Sequence, residues 1–184
     1  MTYWEAATLI AGTLGLMLFS KRALLVPRSH GFPRFFALEF LLILIVFNAP
    51  RWFQDPWCVR QVLSWVLLFL SIPMAAGGYL LLKRRGRPGR NSDRGANFEF
   101  ENTTRLVTDG IYRYLRHPMY SSLLLLGAGI LLKDPTVLSC LLYAGVVLSL
   151  TVTAKIEEGE NIERFGEEYR TLMMRTKMFI PFVV

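Results

Sequence analysis

The sequence predicts an all-α fold, a polytopic membrane helical bundle with about five transmembrane helices and a C-terminal cytoplasmic amphipathic helical segment, all within a single domain over residues 1–184. Three observations carry this. The chain is 53% hydrophobic with a mean hydropathy of +0.36, too apolar for a soluble enzyme with one anchor. Its apolar residues gather in five runs, each followed by charge or a turn. Its basic residues gather in alternate loops.

The first run, Tyr3–Phe19, has Glu5 at its start and Lys21–Arg22 behind it. A cleavable signal peptide carries the opposite charge order, so this run is expected to stay as a helix. The second, Phe35–Ala49, is short and contains Glu39, which should face protein because a charge against hydrocarbon costs about 2.5–3.5 kcal/mol. Gln61–Leu82 is long enough to cross a core of about 30 Å, and completes three N-terminal spans within residues 1–82.

Residues 83–118 read as a cytoplasmic loop and motif. The stretch KRRGRPGRNSDRGANFEFENTTR is polar and aperiodic, either a gate over a site or simple disorder. A helical hairpin over residues 119–154 follows, with Met119–Leu132 and Pro135–Ala154 joined at Lys133–Asp134–Pro135. Gly127 and Gly129 suit close helix packing there. In the C-terminal cytoplasmic segment, 155–184, Ile162, Phe165, Tyr169, Leu172 and Met173 recur at helical spacing. Leading acids and trailing bases in that segment complement a helix dipole without any further role.

Orientation follows from the basic residues. The first loop holds Lys21, Arg22, Arg28 and Arg34, and the third holds nine Lys and Arg from Lys83 to Arg116. The second holds Arg51 and Arg60, and the fourth Lys133 alone. The positive-inside rule then gives an outside N-terminus and a cytoplasmic C-terminus. The net charge of +7 reads as topology and attraction to anionic headgroups, with no nucleic-acid partner expected. No obligate protein partner is evident either.

Two cysteines and two histidines show no metal-ligand spacing, so no metal site is expected. Cys140 reads as a small buried hydrophobe. No dinucleotide fingerprint or P-loop occurs, which excludes soluble cofactor folds.

What remains is LVTDGIYRYLRHPMY, residues 106–120, where Arg116 and His117 stand at the mouth of an apolar run. Asp109–Gly110 signals a turn, and Pro118 suits a first helical turn. His117 therefore sits near a helix N-terminus, which favours an anionic ligand group; a His cap beside a snorkelling Arg is the bland alternative. If the last two runs form a hairpin, Pro118 and Lys155 reach the same membrane face, bringing Glu157 and Glu158 toward His117.

These elements, with FGEEY and a terminal IPF, resemble the isoprenylcysteine carboxyl methyltransferase family and its phospholipid methyltransferase relatives over roughly residues 95–184. The resemblance implies an integral membrane enzyme that uses S-adenosylmethionine, leaving S-adenosylhomocysteine, with a tunnel admitting a lipid or prenylated small-molecule substrate. It implies a cofactor pocket drawn from Leu106, Val107, Gly110, Tyr112, His117, Pro118, Tyr120, Glu157 and Glu158. Arg116, Glu158 and Arg175 are implied as the catalytic set. Tyr114 reads instead as part of an interfacial aromatic belt.

One position departs from the carboxyl-methylating pattern. Thr153 stands where members often carry an Arg four residues before the paired glutamates, and Lys155 is the one nearby substitute. O-methylation of an isoprenoid or other hydrophobic carboxylate is the favoured expectation. The alternative is N-methylation of a phospholipid amine, where Glu158 would act as general base. A nicotinamide-dependent membrane reductase and a noncatalytic membrane interaction protein are the further alternatives. The short N-terminal part implies a prokaryotic inner membrane, or the endoplasmic reticulum in a eukaryote.

Overall fold

The computed structural model describes residues 2–86 and 103–181. The described residues form α1 (Tyr3–Phe19), α2 (Lys21–Leu24), α3 (Gly31–Asn48), α4 (Val59–Arg85), α5 (Pro118–Leu131), α6 (Val137–Phe165) and α7 (Glu167–Arg175). Short 3-10 turns occupy Ala49–Arg51 and Gly110–Arg113, and no strand occurs among the described residues. This is the all-α membrane bundle expected.

Three helical stretches are long and apolar enough to cross a membrane: Gly31–Arg51, Val59–Arg85 and Val137–Phe165. The apolar helices α1 and α5 are shorter, at 17 and 14 residues. At about 1.5 Å per residue each falls short of a core of roughly 30 Å. The second span begins earlier than its apolar run because Arg34 is buried within α3 and carried into the helix.

Local sequence explains the helix ends. Thr2 and Glu5 form a capping box at α1, the Glu5 N–H donating to Thr2 Oγ1 and the Thr2 N–H to Glu5 Oε2. Thr136 caps α6 by accepting from the Ser139 N–H. Lys83, Arg84 and Arg85, read as loop, form the last turn of α4, where cations oppose the helix dipole. The rest of the expected gate, residues 87–102, lies outside the described residues.

The core joins two helix pairs, α3 with α6 and α4 with α5, through Leu41, Leu44, Leu68, Ile130, Val146 and Leu150. Small and polar residues set the close approaches. Ser64 Oγ donates to the Gly129 carbonyl at 2.6 Å, and a Cβ on Gly129 would meet Leu68 Cγ at 2.8 Å. Asn48 Nδ2 donates to Ser139 Oγ across α3 and α6. Glu39 is half-buried against α1, accepting from Thr13 Oγ1 at 2.5 Å, and so faces protein as expected.

Two readings need correction. Cys140 is exposed, because its neighbours Val137, Leu138 and Leu141 make that side of α6 an apolar outer surface where a small thiol needs no protein cover. The hairpin connection is more than a turn, for Lys133 is 1% exposed with its Nζ 3.7 Å from the Trp65 ring centroid and 3.0 Å from Gln61 Oε1. Burial, with the Arg60 charge added, pushes the Lys133 ammonium below its usual range.

At the other end of the bundle, α6 runs without interruption from Ala154 past both glutamates to Phe165. Gly166, with φ +57°, then turns the chain into α7, so the expected amphipathic stripe is two helices. Glu160 leaves this extension to meet buried His30, its Oε2 lying 2.9 Å from Nδ1, which ties α6 to the start of α3.

Candidate functional site

A cleft opens where α4, α5, α6 and α7 meet the segment before α5. Gly110 makes the approach possible: its φ is +58°, and a Cβ there would lie 2.7 Å from Leu81 Cδ1. The 3-10 turn it starts carries Tyr112 inward, and the Tyr112 hydroxyl donates to the Gly78 carbonyl at 3.4 Å. Pro118 then opens α5, leaving His117 at its N-cap position. The His117 side chain makes no capping hydrogen bond, which removes the bland reading of it as a cap.

Chain beyond α7 locks this segment in place. Arg116 N–H donates to the Lys177 carbonyl at 2.8 Å, His117 N–H to Met178 at 3.2 Å, and Lys177 N–H to Tyr114 at 3.1 Å, around a parallel bridge of Leu115 with Lys177. Ser121 Oγ adds a bond to the Phe179 carbonyl at 2.7 Å. Phe179 is buried with its ring 6.3 Å from the His117 ring, so the strap walls the histidine.

His117 stands between the two glutamates. Its Nδ1 lies 3.6 Å from Glu157 Oε2 and its Nε2 3.6 Å from Glu158 Oε1, both beyond direct hydrogen bonding. Nε2 is buried and lacks a hydrogen-bond partner. The imidazole stacks on Tyr120 at 5.3 Å, and Tyr120 in turn donates its hydroxyl to Glu157 Oε2 at 2.6 Å. Glu158 is buried and accepts from Arg116 Nε at 2.5 Å. Arg116 also donates through Nη1 to the Met173 and Thr176 carbonyls, which commits Nε and Nη1 to protein.

Tyr169, buried in α7, is held un-ionised well above the usual tyrosine range, first by burial and then by the Glu157 charge. It therefore presents a neutral hydroxyl to the cleft at any physiological pH.

Of the residues singled out in the sequence, Leu106, Val107, Tyr112, Arg116, His117, Pro118, Tyr120 and Glu157 line this one cleft, which holds about 660 Å³ of free space including its open mouth. Glu158 stands behind it through Arg116. Gly110 and Arg175 do not line it. Gly110 acts through the turn, and Arg175 is exposed on a separate depression beside Arg113 and Glu168. Thr153 is buried, its hydroxyl bonded to the Ser149 carbonyl, whereas Lys155 is exposed, so Lys155 does not occupy the place of the missing Arg.

Sequence reasoning missed Leu82, Thr103, Met119 and Asn161, and gave Phe165, Tyr169 and Leu172 only a packing role. The signal was partly present. Glu157, Asn161 and Phe165 are spaced by four on α6 and share one face.

The fold and the cleft together define an α-helical membrane protein with an acidic, aromatic-lined site at one end of its bundle. Residues 59–168 match the phospholipid methyltransferase family, and the chain belongs to that family. The matched span takes in both RHP and the paired glutamates and ends before the strap. The membership supports a membrane methyltransferase acting on lipid-like substrates. No curated protein and no solved structure matches the chain.

Proposed function

We propose that this protein is an S-adenosylmethionine-dependent N-methyltransferase of a phospholipid amine. The residues present fit the cofactor. Asn161 offers polar contacts, Glu157 an anion for its cationic centre, and Tyr112, Tyr120 and Phe165 aromatic faces for its ring and sulfonium. When bound, it supplies a methyl group on a sulfonium for in-line displacement.

One observation turns the choice of acceptor. Arg116 is the one Lys or Arg among the described residues lining the cleft, and it is committed to Glu158 and two carbonyls. A carboxylate acceptor needs a free cationic fork, which neither Thr153 nor exposed Lys155 supplies. An ammonium suits a cleft with a carboxylate on its wall. The amine reading thus moves ahead of O-methylation.

An alkylammonium with an ordinary pKa of about 10.4 has to shed a proton before its lone pair can attack. Glu157 lines the cleft and Glu158 does not, so the general-base role passes to Glu157, while Glu158 positions His117 and Arg116 as a charged strut. Tyr120 orients the Glu157 carboxylate through its hydroxyl. The aromatic walls limit water around the reacting pair, and the strap holds His117 from behind. By the distribution of its basic residues, this end of the bundle faces the cytoplasm.

Calorimetry in nonionic detergent against S-adenosylmethionine, S-adenosylhomocysteine and NADPH tests the cofactor, with binding of the first two expected. Binding of NADPH alone would make the protein a reductase, and binding of none a scaffold. Radiolabelled methyl transfer into ethanolamine phospholipid and into a farnesylated cysteine carboxylate tests the acceptor. Alkali-stable label in the phospholipid is expected; alkali-labile label in the carboxylate would restore O-methylation.

A further inference from the structure

We propose that Arg84, Arg85 and Arg105 form a vestibule that seats the phosphate of the lipid acceptor, an inference that rests on the phospholipid-amine reading above. The three arginines, from two parts of the chain, line a second cavity alongside Thr108 and Asp109. Arg85 pairs with Asp109. Arg84 and Arg105 have no acidic partner among the described residues, so the described lining carries three cations against the single carboxylate of Asp109. Arg84 and Arg85 also complement the α4 dipole, but Arg105 lies on no helix, and its presence has no such explanation.

The location gives the charge its meaning. Leu106 and Val107 line both this cavity and the cleft, so the two adjoin. On α4, Leu82 lines the cleft and Arg85 the vestibule, three residues apart and hence on one face. A headgroup that carries phosphate and amine on one short linker would seat the phosphate among the arginines and the amine in the neighbouring cleft. Exposed Tyr79 and Leu80, one turn back along α4, give the acyl chains an apolar surface to follow. Arginine forks suit phosphate oxygens through paired, charge-assisted hydrogen bonds.

The test uses the full chain in nonionic detergent and probes that carry phosphate but no amine. Short-chain phosphatidic acid and inorganic phosphate are titrated by calorimetry into the wild-type protein, into R84Q/R105Q, and into R22Q/R28Q, which removes two exposed charges from the first loop. Phosphatidic acid should bind the wild type, weaken by about tenfold or more in R84Q/R105Q, and change less than about twofold in R22Q/R28Q. Inorganic phosphate should follow the same order at lower affinity. No phosphatidic acid binding by the wild type, equal losses in both variants, or inorganic phosphate binding as tightly as the lipid would each overturn the proposal. If R84Q/R105Q does not fold, R84K/R105K serves: it keeps charge but loses the fork, and unchanged affinity there would overturn the proposal. Because the probes lack an amine, vestibule binding is read whether or not any methyl is transferred. A protein that binds phosphatidic acid as described and methylates no amine would overturn the amine reading alone.

Discussion

Arg116 Nε donates to Glu158 Oε1 at 2.5 Å, and both side chains are only 10% exposed. The same guanidinium reaches the Met173 and Thr176 carbonyls, so one ion pair couples α6, the segment before α5 and the end of α7. A cation placed at a membrane surface to set topology would leave its fork in water. This one is built into the wall of the cleft.

Glu158→Ala strands the Arg116 charge in a buried setting and should cost about 3–5 kcal/mol of stability, measured as unfolding in detergent. Removing both groups with Arg116→Met and Glu158→Leu should cost clearly less than the two single changes summed. Additive losses would show that the two charges do not act as a pair.

His117→Ala removes the buried imidazole between Glu157 and Glu158 together with its stack on Tyr120. S-adenosylhomocysteine affinity should fall by about tenfold or more, whereas Glu163→Ala, at an exposed position on α6, should stay within about twofold. Equal effects in isothermal titration would contradict the cofactor site proposed here.

The strap makes a separate prediction. Phe179→Ala removes a buried ring from beside His117, and changes of this kind in cores cost about 3–5 kcal/mol. Ser121→Ala removes only one bond to the Phe179 carbonyl and should cost about 1 kcal/mol. If the strap holds His117 in place at the cleft, Phe179→Ala should also weaken S-adenosylhomocysteine binding in protein that still folds. Unchanged affinity would limit Phe179 to packing.

Much of this was legible in the sequence because its signals are local or periodic. Five apolar runs became five apolar helices, Glu39 faced protein, and the hairpin turn brought His117 to Glu157 and Glu158. The less legible features depend on partners distant along the chain. That Arg116 is spent on Thr176, or that Lys133 lies over Trp65, follows from tertiary packing that no local pattern records. Gly110 was noticed for the right local reason, its turn, but its target is Leu81 rather than a ligand. Arg175 entered the expected catalytic set through the resemblance alone, and it lies exposed on α7 in a separate depression beside Arg113 and Glu168.

Tyr169 ties the cleft to a pH dependence whose sign can be worked out. Burial, and then the nearby Glu157 charge, raise its pKa above the ordinary value of 10.0, so folding favours the neutral hydroxyl. The unfolded chain releases that proton first as pH rises. The stability contributed by this group is therefore complete below about pH 10 and declines as pH rises from there toward the folded-state value. Tyrosinate absorbance near 295 nm, taken as wild type minus Tyr169→Phe in folded protein, should show no ionisation at pH 10 where free tyrosine is half ionised. Tyr169→Phe should also flatten the loss of thermal stability between about pH 10 and 11. A difference curve with its midpoint at the ordinary value would mean that Tyr169 is solvated and that α7 does not close the cleft.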